Sequence, residues 1–176
     1  MKKSIIIIAA ILMAGFSTKV MAQNTKTVAA TVATTQILAP LGLTQTSILN
    51  FGKLTTSASS GSCELTTAGA RNVSGGLFNY PSSPTNAAYN VTGEKNKAYT
   101  ITLPTTITVS NGTPLQDMTI SALTARCLST AADGIVGTID ATSGTDSFKV
   151  GGTLTVAANQ PAAVYTGSFD VTVAYN

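Results

Sequence analysis

The chain has 176 residues, enough for one domain of ordinary size. Hydrophobic residues make up 44% of it and charged residues only 10%, whereas soluble domains usually carry about 25% charged residues. This apolar content argues against a disordered chain. No His is present, which excludes Ser-His-Asp and Cys-His catalysis and zinc-finger ligand sets. We therefore expect a protein that is not an enzyme and holds no cofactor or metal.

The first 22 residues have the pattern of a secretory signal peptide. Lys2 and Lys3 precede an apolar run from Ile5 to Phe16, and Val20-Met21-Ala22 has the small residues of a cleavage site. The apolar run is too short to span a bilayer, which takes about 20 residues. We expect residues 1–22 to be removed, with Gln23 as the new N-terminus and no membrane anchor.

Removal of this segment changes the charge of the protein. The whole chain has a formal net charge of +3, but Lys2, Lys3 and Lys19 leave with the signal peptide. The remaining basic and acidic residues then balance. Nucleic-acid binding needs a clustered positive surface, so we expect no nucleic-acid partner.

Two cysteines, Cys63 and Cys127, follow the signal peptide. Export places them in an oxidising compartment, where a disulfide is the default expectation. Such a bond would close a loop of about 65 residues and stabilise the fold by roughly 4 kcal/mol. The alternative interpretation is a pair of buried free thiols.

The chain after residue 22 is β in character, because it is rich in Thr and is interrupted by turn residues at short intervals. We find no sustained helical period. Residues 57–62 and 81–84 are expected to be loops. Turns are predicted at 93–97, as a hairpin, and at 110–114, 143–146 and 159–162. In chain order, the predicted strands are 64–67, 73–78, 89–92, 99–103, 106–109, 118–123, 148–156 and 164–175.

The last two predicted strands have the clearest patterns. From Tyr165 to Tyr175, apolar side chains occupy odd positions and polar side chains occupy even ones, which predicts a strand with one wet face. The strand before it contains Gly151-Gly152, which indicates a bulge or a bend between sheets.

Residues 23–39 form a separate N-terminal segment. Val28, Ala30 and Val32 alternate with more polar positions, and Pro40 then interrupts any continuous strand. Two interpretations stay open. The segment is the first strand of its own domain, or it is an extension that pairs with another subunit, with those three side chains as the candidate donor-strand residues.

Several stretches, in order, resemble the bacterial domain-of-unknown-function family 4402. They are 39–44, 48–54, 91–93, 99–104, 150–156, 159–160 and 165–175. That family is in turn similar to spore-coat-U-like proteins and archaic chaperone–usher pilins, which share an Asn-Phe-Gly, here Asn50-Phe51-Gly52, and a Gly-x-Leu-Thr-Val, here residues 152–156.

The resemblance implies an all-β fold, an immunoglobulin-like, pilin-like β-sandwich of antiparallel sheets over residues 40–176. It also implies an exported structural role, fimbria- or pilus-subunit-like, in the periplasm, on the outer surface or in an extracellular fimbria of a Gram-negative-type bacterium. The partners would be identical or related subunits and a periplasmic chaperone or usher, joined by β-strand addition. The alternative is a self-complete, adhesin-like sandwich that binds a ligand such as a glycan.

Two pairs of acidic residues are candidates for carboxylate chemistry. Asp140 and Asp146 flank a predicted turn, so they are compatible with a calcium site, although an ordinary hairpin turn is the better expectation. Glu64 and Glu94 would form a glycosidase pair only if the fold happened to bring them together.

Overall fold

The structure is a computed structural model that describes residues 32–176. The predicted signal peptide and two candidate donor residues, Val28 and Ala30, lie outside the described residues. Residues 37–176 form one compact unit. Within residues 32–176, no helix is long and apolar enough to cross a membrane.

The described chain is all-β and contains no helix. Alternating side chains and frequent turn residues favour strands over helices throughout. The ten strands are β1 (Gly42–Ser47), β2 (Leu54–Leu65), β3 (Arg71–Asn79), β4 (Ala87–Thr92), β5 (Ala98–Thr102), β6 (Ile107–Val109), β7 (Met118–Cys127), β8 (Val136–Thr138), β9 (Thr145–Val156) and β10 (Thr172–Tyr175).

Strand β9 is the centre of a seven-stranded sheet, the large sheet. One edge of β9 pairs with β7, and the other edge pairs with β4 along its first half and with β2 along its second half. Outside these, β6 pairs with β7, β1 with β4 and β3 with β2. All of these pairings are antiparallel. Because β9 pairs first with β4 and then with β2, the two halves of the large sheet share this one continuous strand.

The small sheet has three antiparallel strands in the order β10-β5-β8. Side chains from both sheets contribute to the buried core, as expected when two sheets pack face to face. The described chain is therefore an antiparallel all-β protein, consistent with a β-sandwich.

The core has two clusters, one against each half of β9. The first cluster includes Leu154 and Val156, and the second includes Phe148 and Val150. In the second cluster, the ring of Tyr89 stacks on the ring of Phe148 with centroids 5.0 Å apart. Burying side chains of this size supplies most of the stability of the fold, at about 25 cal/mol for each Å² of apolar surface removed from water.

The structure confirms most predicted strands and corrects two predicted connections. Residues 93–97 do not form a hairpin turn, because they carry the chain from β4 in the large sheet to β5 in the small sheet. Residues 57–62, predicted as a loop, lie inside β2, and the pairing of β2 with β3 shifts between Thr56 and Gly61. The Ser-rich sequence accommodates this irregularity without interrupting the strand.

The Gly pair in β9 marks the place where its partner changes from β4 to β2. A Cβ atom on Gly151 would press into the backbone of residues 65–67, including the Thr66 carbonyl carbon at 3.0 Å. Gly152 faces the side chains of Leu123 and Ile120. The pair does not break the strand; it lets another part of the backbone approach β9 closely.

We predict that Gly151→Ala lowers the free energy of unfolding by about 2 kcal/mol or more, because the backbone it meets cannot move aside as a side chain would. Urea unfolding followed by circular dichroism measures the change. Gly134→Ala is the control, since a Cβ there meets nothing within 4 Å. Equal, small losses for both variants would contradict this account of the Gly pair.

Candidate functional site

Among residues 32–176, strands β1 and β10 each pair along one edge only. β1 pairs with β4 in the large sheet, and β10 pairs with β5 in the small sheet. Side chains from both flanks, Leu41 and Leu43 on one and Val171 and Val173 on the other, pack against the second core cluster. We call this line, residues 41–47 and 167–175, the seam. Along it, two free strand edges flank the same part of the core.

Side chains of the seam are only half-buried. Leu41, Leu43, Phe169, Val171 and Val173 all keep part of their surface exposed, although all pack on the core. Inward side chains on neighbouring paired strands are closed off completely: Val91 is 0% exposed and Ile101 is 1% exposed. The core is therefore incompletely covered along the seam.

The backbone of the seam is also incompletely paired. Thr166 pairs with Ser110 through two hydrogen bonds of 2.9 Å, and ladder pairing resumes only at Thr172. In the part of the chain that the structure describes, residues 167–171 belong to no strand ladder. The strand predicted over 164–175 is therefore confirmed only at Thr172–Tyr175. The predicted alternation holds at every odd position except the exposed Gly167, since the other odd positions are half-buried and the even positions are exposed. The alternation of side chains thus extends over more residues than the ladder pairing does.

One end of the seam is closed by three hydrogen bonds around Ala39. The Ala39 N–H donates to Oε2 of Glu94 at 3.1 Å, and the Tyr175 hydroxyl donates to the Ala39 carbonyl oxygen at 2.8 Å. The Glu94 N–H donates to the same hydroxyl at 2.6 Å. The Tyr175 hydroxyl lies 2.5 Å from where a Cβ on Gly93 would stand, so a side chain at this position would displace the hydroxyl. We call this arrangement the Ala39 clamp.

Before the seam, the described residues 32–41 belong to no strand. Val32, the one candidate donor residue that is described, is 81% exposed, and Ile37 is 90% exposed. Residues 32–37, which precede the clamp, are all exposed.

A family model described as Domain of unknown function (DUF4402) matches residues 41–175. The chain belongs to this family. The match begins at the first residue of the seam, ends within β10 and covers all ten strands. The comparison with curated proteins gives no match.

The Asn50-Phe51-Gly52 motif of the DUF4402 domain has a structural role. Phe51 is buried in the first core cluster, and Oδ1 of Asn50 accepts the Gly52 N–H at 2.8 Å. The Arg71 guanidinium donates to the carbonyl oxygens of Phe51 and Tyr80, each at 3.0 Å. This motif therefore fixes the connection that leads out of β1 and carries no chemistry of its own.

Asp146 is the centre of a buried polar network. Its Oδ2 accepts hydrogen bonds from Tyr99, at 3.0 Å, and from the Ser129 hydroxyl, at 2.6 Å. Its Oδ1 accepts the N–H groups of Ser129 and Ser147. Burial raises the pKa of Tyr99 far above its usual value. The network joins β9 to the small sheet. Both carboxylate oxygens of Asp146 accept hydrogen bonds from groups within the fold, which is typical of a structural carboxylate.

Asp140 and Asp146 engage separate hydrogen-bond partners. Asp140 uses its Oδ1 to accept the N–H groups of Thr142 and Ser143, and these bonds hold the pKa of Asp140 below its usual value. Asp146 faces the network described above. Among residues 32–176, no group of three or more His, Cys, Asp or Glu could hold a metal.

Glu64 and Glu94 also lie far apart. Glu64 lies opposite Thr153, and Glu94 follows Thr92, which lies opposite Thr145. The eight residues between those two positions of β9 span roughly 26 Å. The pair therefore cannot act on one glycosidic bond.

The predicted Cys63–Cys127 disulfide is corrected by the structure. Both thiols are free and buried. Cys63 lies on β2 opposite Leu154, and Cys127 lies on β7 opposite Phe148, on the other edge of β9. Two strand spacings and six residues along β9 separate their Cα atoms by roughly 20 Å, whereas a disulfide needs less than about 7 Å. Oxidising surroundings favour a bond only where the fold brings the sulfurs together.

We predict that neither thiol of the native protein reacts with an alkylating reagent, because burial raises the pKa of both and keeps reagent away. In denaturant without reductant, mass spectrometry should find both cysteines alkylated. Labelling that appears only after reduction would show that the bond exists and would contradict the described packing of β2 and β7.

Proposed function

We propose that this DUF4402 protein is an exported structural protein of the cell surface, resembling a fimbrial or pilus subunit. In this proposal, the fold is an immunoglobulin-like sandwich that lacks one strand. Subunits assemble when an extended segment of a neighbour adds to the seam. The observation that carries the proposal is the seam itself, where two free strand edges flank a half-covered core.

Strand addition supplies what the seam lacks. An extended segment can form main-chain hydrogen bonds with the free edges of β1 and β10, while alternate side chains cover the half-buried Leu and Val residues. Covering that surface removes apolar area from water, at about 25 cal/mol for each Å². The expected occupant is therefore an extended segment with a small apolar residue at every second position.

The N-terminal segment fits this description. Val28, Ala30 and Val32 alternate with more polar neighbours, and Val32 is exposed. Because donor segment and acceptor seam are different parts of the chain, the contact is head-to-tail, and it can propagate into a fibre.

The same geometry supports the proposed chaperone partner. A free strand edge beside a half-covered core is an aggregation hazard until it is filled. Export through the periplasm then favours a chaperone that covers the seam before assembly, as the resemblance to archaic chaperone–usher pilins and spore-coat-U-like proteins implies. An outer-surface or fimbrial location follows from the same resemblance and from the predicted signal peptide.

We predict that deletion of residues 24–35 leaves a folded monomer that cannot assemble, whereas the intact exported chain forms multimers that survive SDS without boiling. The reason is that the deletion removes the donor segment and leaves the described core untouched. Circular dichroism and gels with and without boiling measure the two properties. A truncated chain that fails to fold would show that the segment completes its own domain.

A second candidate function, a glycan-binding module, rests on a different surface. Phe78 and Tyr80 are 59% and 50% exposed near the end of β3, and the Lys53 ammonium lies 6.0 Å from the Tyr80 ring centroid. Exposed rings beside a cation are suited to stacking on a ligand. An intact exported chain that stays monomeric in both lanes of the gel would favour this candidate over assembly.

A further inference from the structure

We propose that the outward face of the ribbon formed by residues 53–55 and 78–80, the ring platform, binds an acidic polysaccharide. The rings of Phe78 and Tyr80 stack on sugar rings, and the ammonium of Lys53 pairs with a sugar carboxylate. This inference rests on the glycan-binding candidate above and adds to it the chemical class of the ligand and the residues that select it. It does not depend on assembly at the seam.

The ring platform is one face of an antiparallel ribbon. Thr55 lies opposite Phe78, and two positions further along, the Tyr80 N–H donates to the Lys53 carbonyl oxygen at 3.3 Å. Leu77 packs into the first core cluster, so its neighbour Phe78 points away from the core. Residues two apart on a strand share one side. The four side chains opposite the core therefore form a single outward surface of two rings, a hydroxyl and an ammonium.

The two rings stand among polar side chains. Phe78 and Tyr80 are both more than half or about half exposed, and the exposed residues beside them include Thr55 and Asn79. Their Cα atoms lie about 7 Å apart along the strand, so one extended ligand can contact both rings. A sugar ring has an apolar C–H face that packs on an aromatic ring and hydroxyls that need polar neighbours. A protein partner would favour a more continuous apolar surface.

The charge on the ring platform selects an acidic sugar. The Lys53 ammonium lies 6.0 Å from the Tyr80 ring centroid. Among residues 32–176, the one ion pair joins Arg126 to Asp133, so no described carboxylate pairs with Lys53. A ligand carboxylate placed beside the Tyr80 ring would supply that partner through a charge-assisted hydrogen bond, which is stronger than a neutral one.

Arg71 fixes the backbone that carries the ring platform. Its guanidinium donates to the carbonyl oxygens of Tyr80, at 3.0 Å, and of Lys53, at 3.2 Å. The Ser82 hydroxyl accepts the Lys53 N–H at 2.9 Å and donates to the Tyr80 carbonyl oxygen at 3.1 Å. The ring and the ammonium therefore start from backbone positions that are set before a ligand arrives, which lowers the entropic cost of binding.

The test measures the affinity of the exported chain for immobilised polysaccharides by biolayer interferometry. Three polymers of uronic acids are used: polygalacturonate from plants, alginate from algae or bacteria, and hyaluronate from animals. Each is paired with its methyl ester, which keeps the sugar rings and removes the charge. The polymer that binds identifies the source of the ligand.

Two substitutions remove the groups that the proposal uses, and each has a matched control. Lys53→Gln removes the cation, and Lys149→Gln removes another exposed Lys, on β9 opposite Ala88. Tyr80→Ala removes a ring, and Tyr80→Phe keeps it. Circular dichroism checks that each variant folds. Lys53→Gln, which changes only an exposed side chain, decides the test if Tyr80→Ala does not fold.

We expect at least one uronate polymer to bind about fivefold or more tightly than its methyl ester. Its Kd should rise about fivefold or more in Lys53→Gln and Tyr80→Ala, and should change by less than about twofold in Lys149→Gln and Tyr80→Phe. A uronate that all four variants bind as well as the unsubstituted chain does would overturn the inference, because its site would lie elsewhere.

Two other outcomes separate the claims. Equal affinity for a uronate and its methyl ester, weakened in Tyr80→Ala, overturns the selection of an acidic sugar and leaves the glycan-binding candidate intact. No binding to any of the polymers overturns both. Assembly at the seam is measured by the gels described above, so neither outcome bears on it.

Discussion

The described structure depends on two unpaired strand edges, those of β1 and β10, which flank the same core. Because β1 and β10 belong to different sheets, neither completes the other, and the Leu and Val side chains between them stay half-exposed. An unpaired edge beside exposed apolar surface is unstable toward association. The proposed assembly by strand addition, with its proposed head-to-tail contact and chaperone, rests on this one property.

The rest of the fold holds the seam in place. β9 carries both core clusters and pairs along both edges, so the large sheet is continuous on the β1 side. Asp146 ties β9 to Tyr99 of β5, which in turn pairs with β10 on the other side. The flanks of the seam are thus joined through buried groups and, at one end, through the Ala39 clamp.

The sequence predicted those parts of the fold that depend on local pattern. Alternation from Tyr165 to Tyr175 predicted the inward and outward faces correctly, and Gly151-Gly152 marked an unusual position in β9. Pairings between distant residues left no local signal: the Tyr99–Asp146 bond and the separation of Cys63 from Cys127 depend on the sheet order. β1 was missed, although Leu41-Gly42-Leu43-Thr44 carries a short alternation that could have indicated it.

The central claim is that the seam is where subunits join. Hydrogen–deuterium exchange, measured on the exported chain as monomer and as multimer, tests it directly, because added main-chain hydrogen bonds slow amide exchange. The account predicts that protection rises on assembly at residues 42–47 and 167–175, while the free edge of β3 changes little. Unchanged exchange along the seam, with protection gained at β3 or elsewhere, would contradict it.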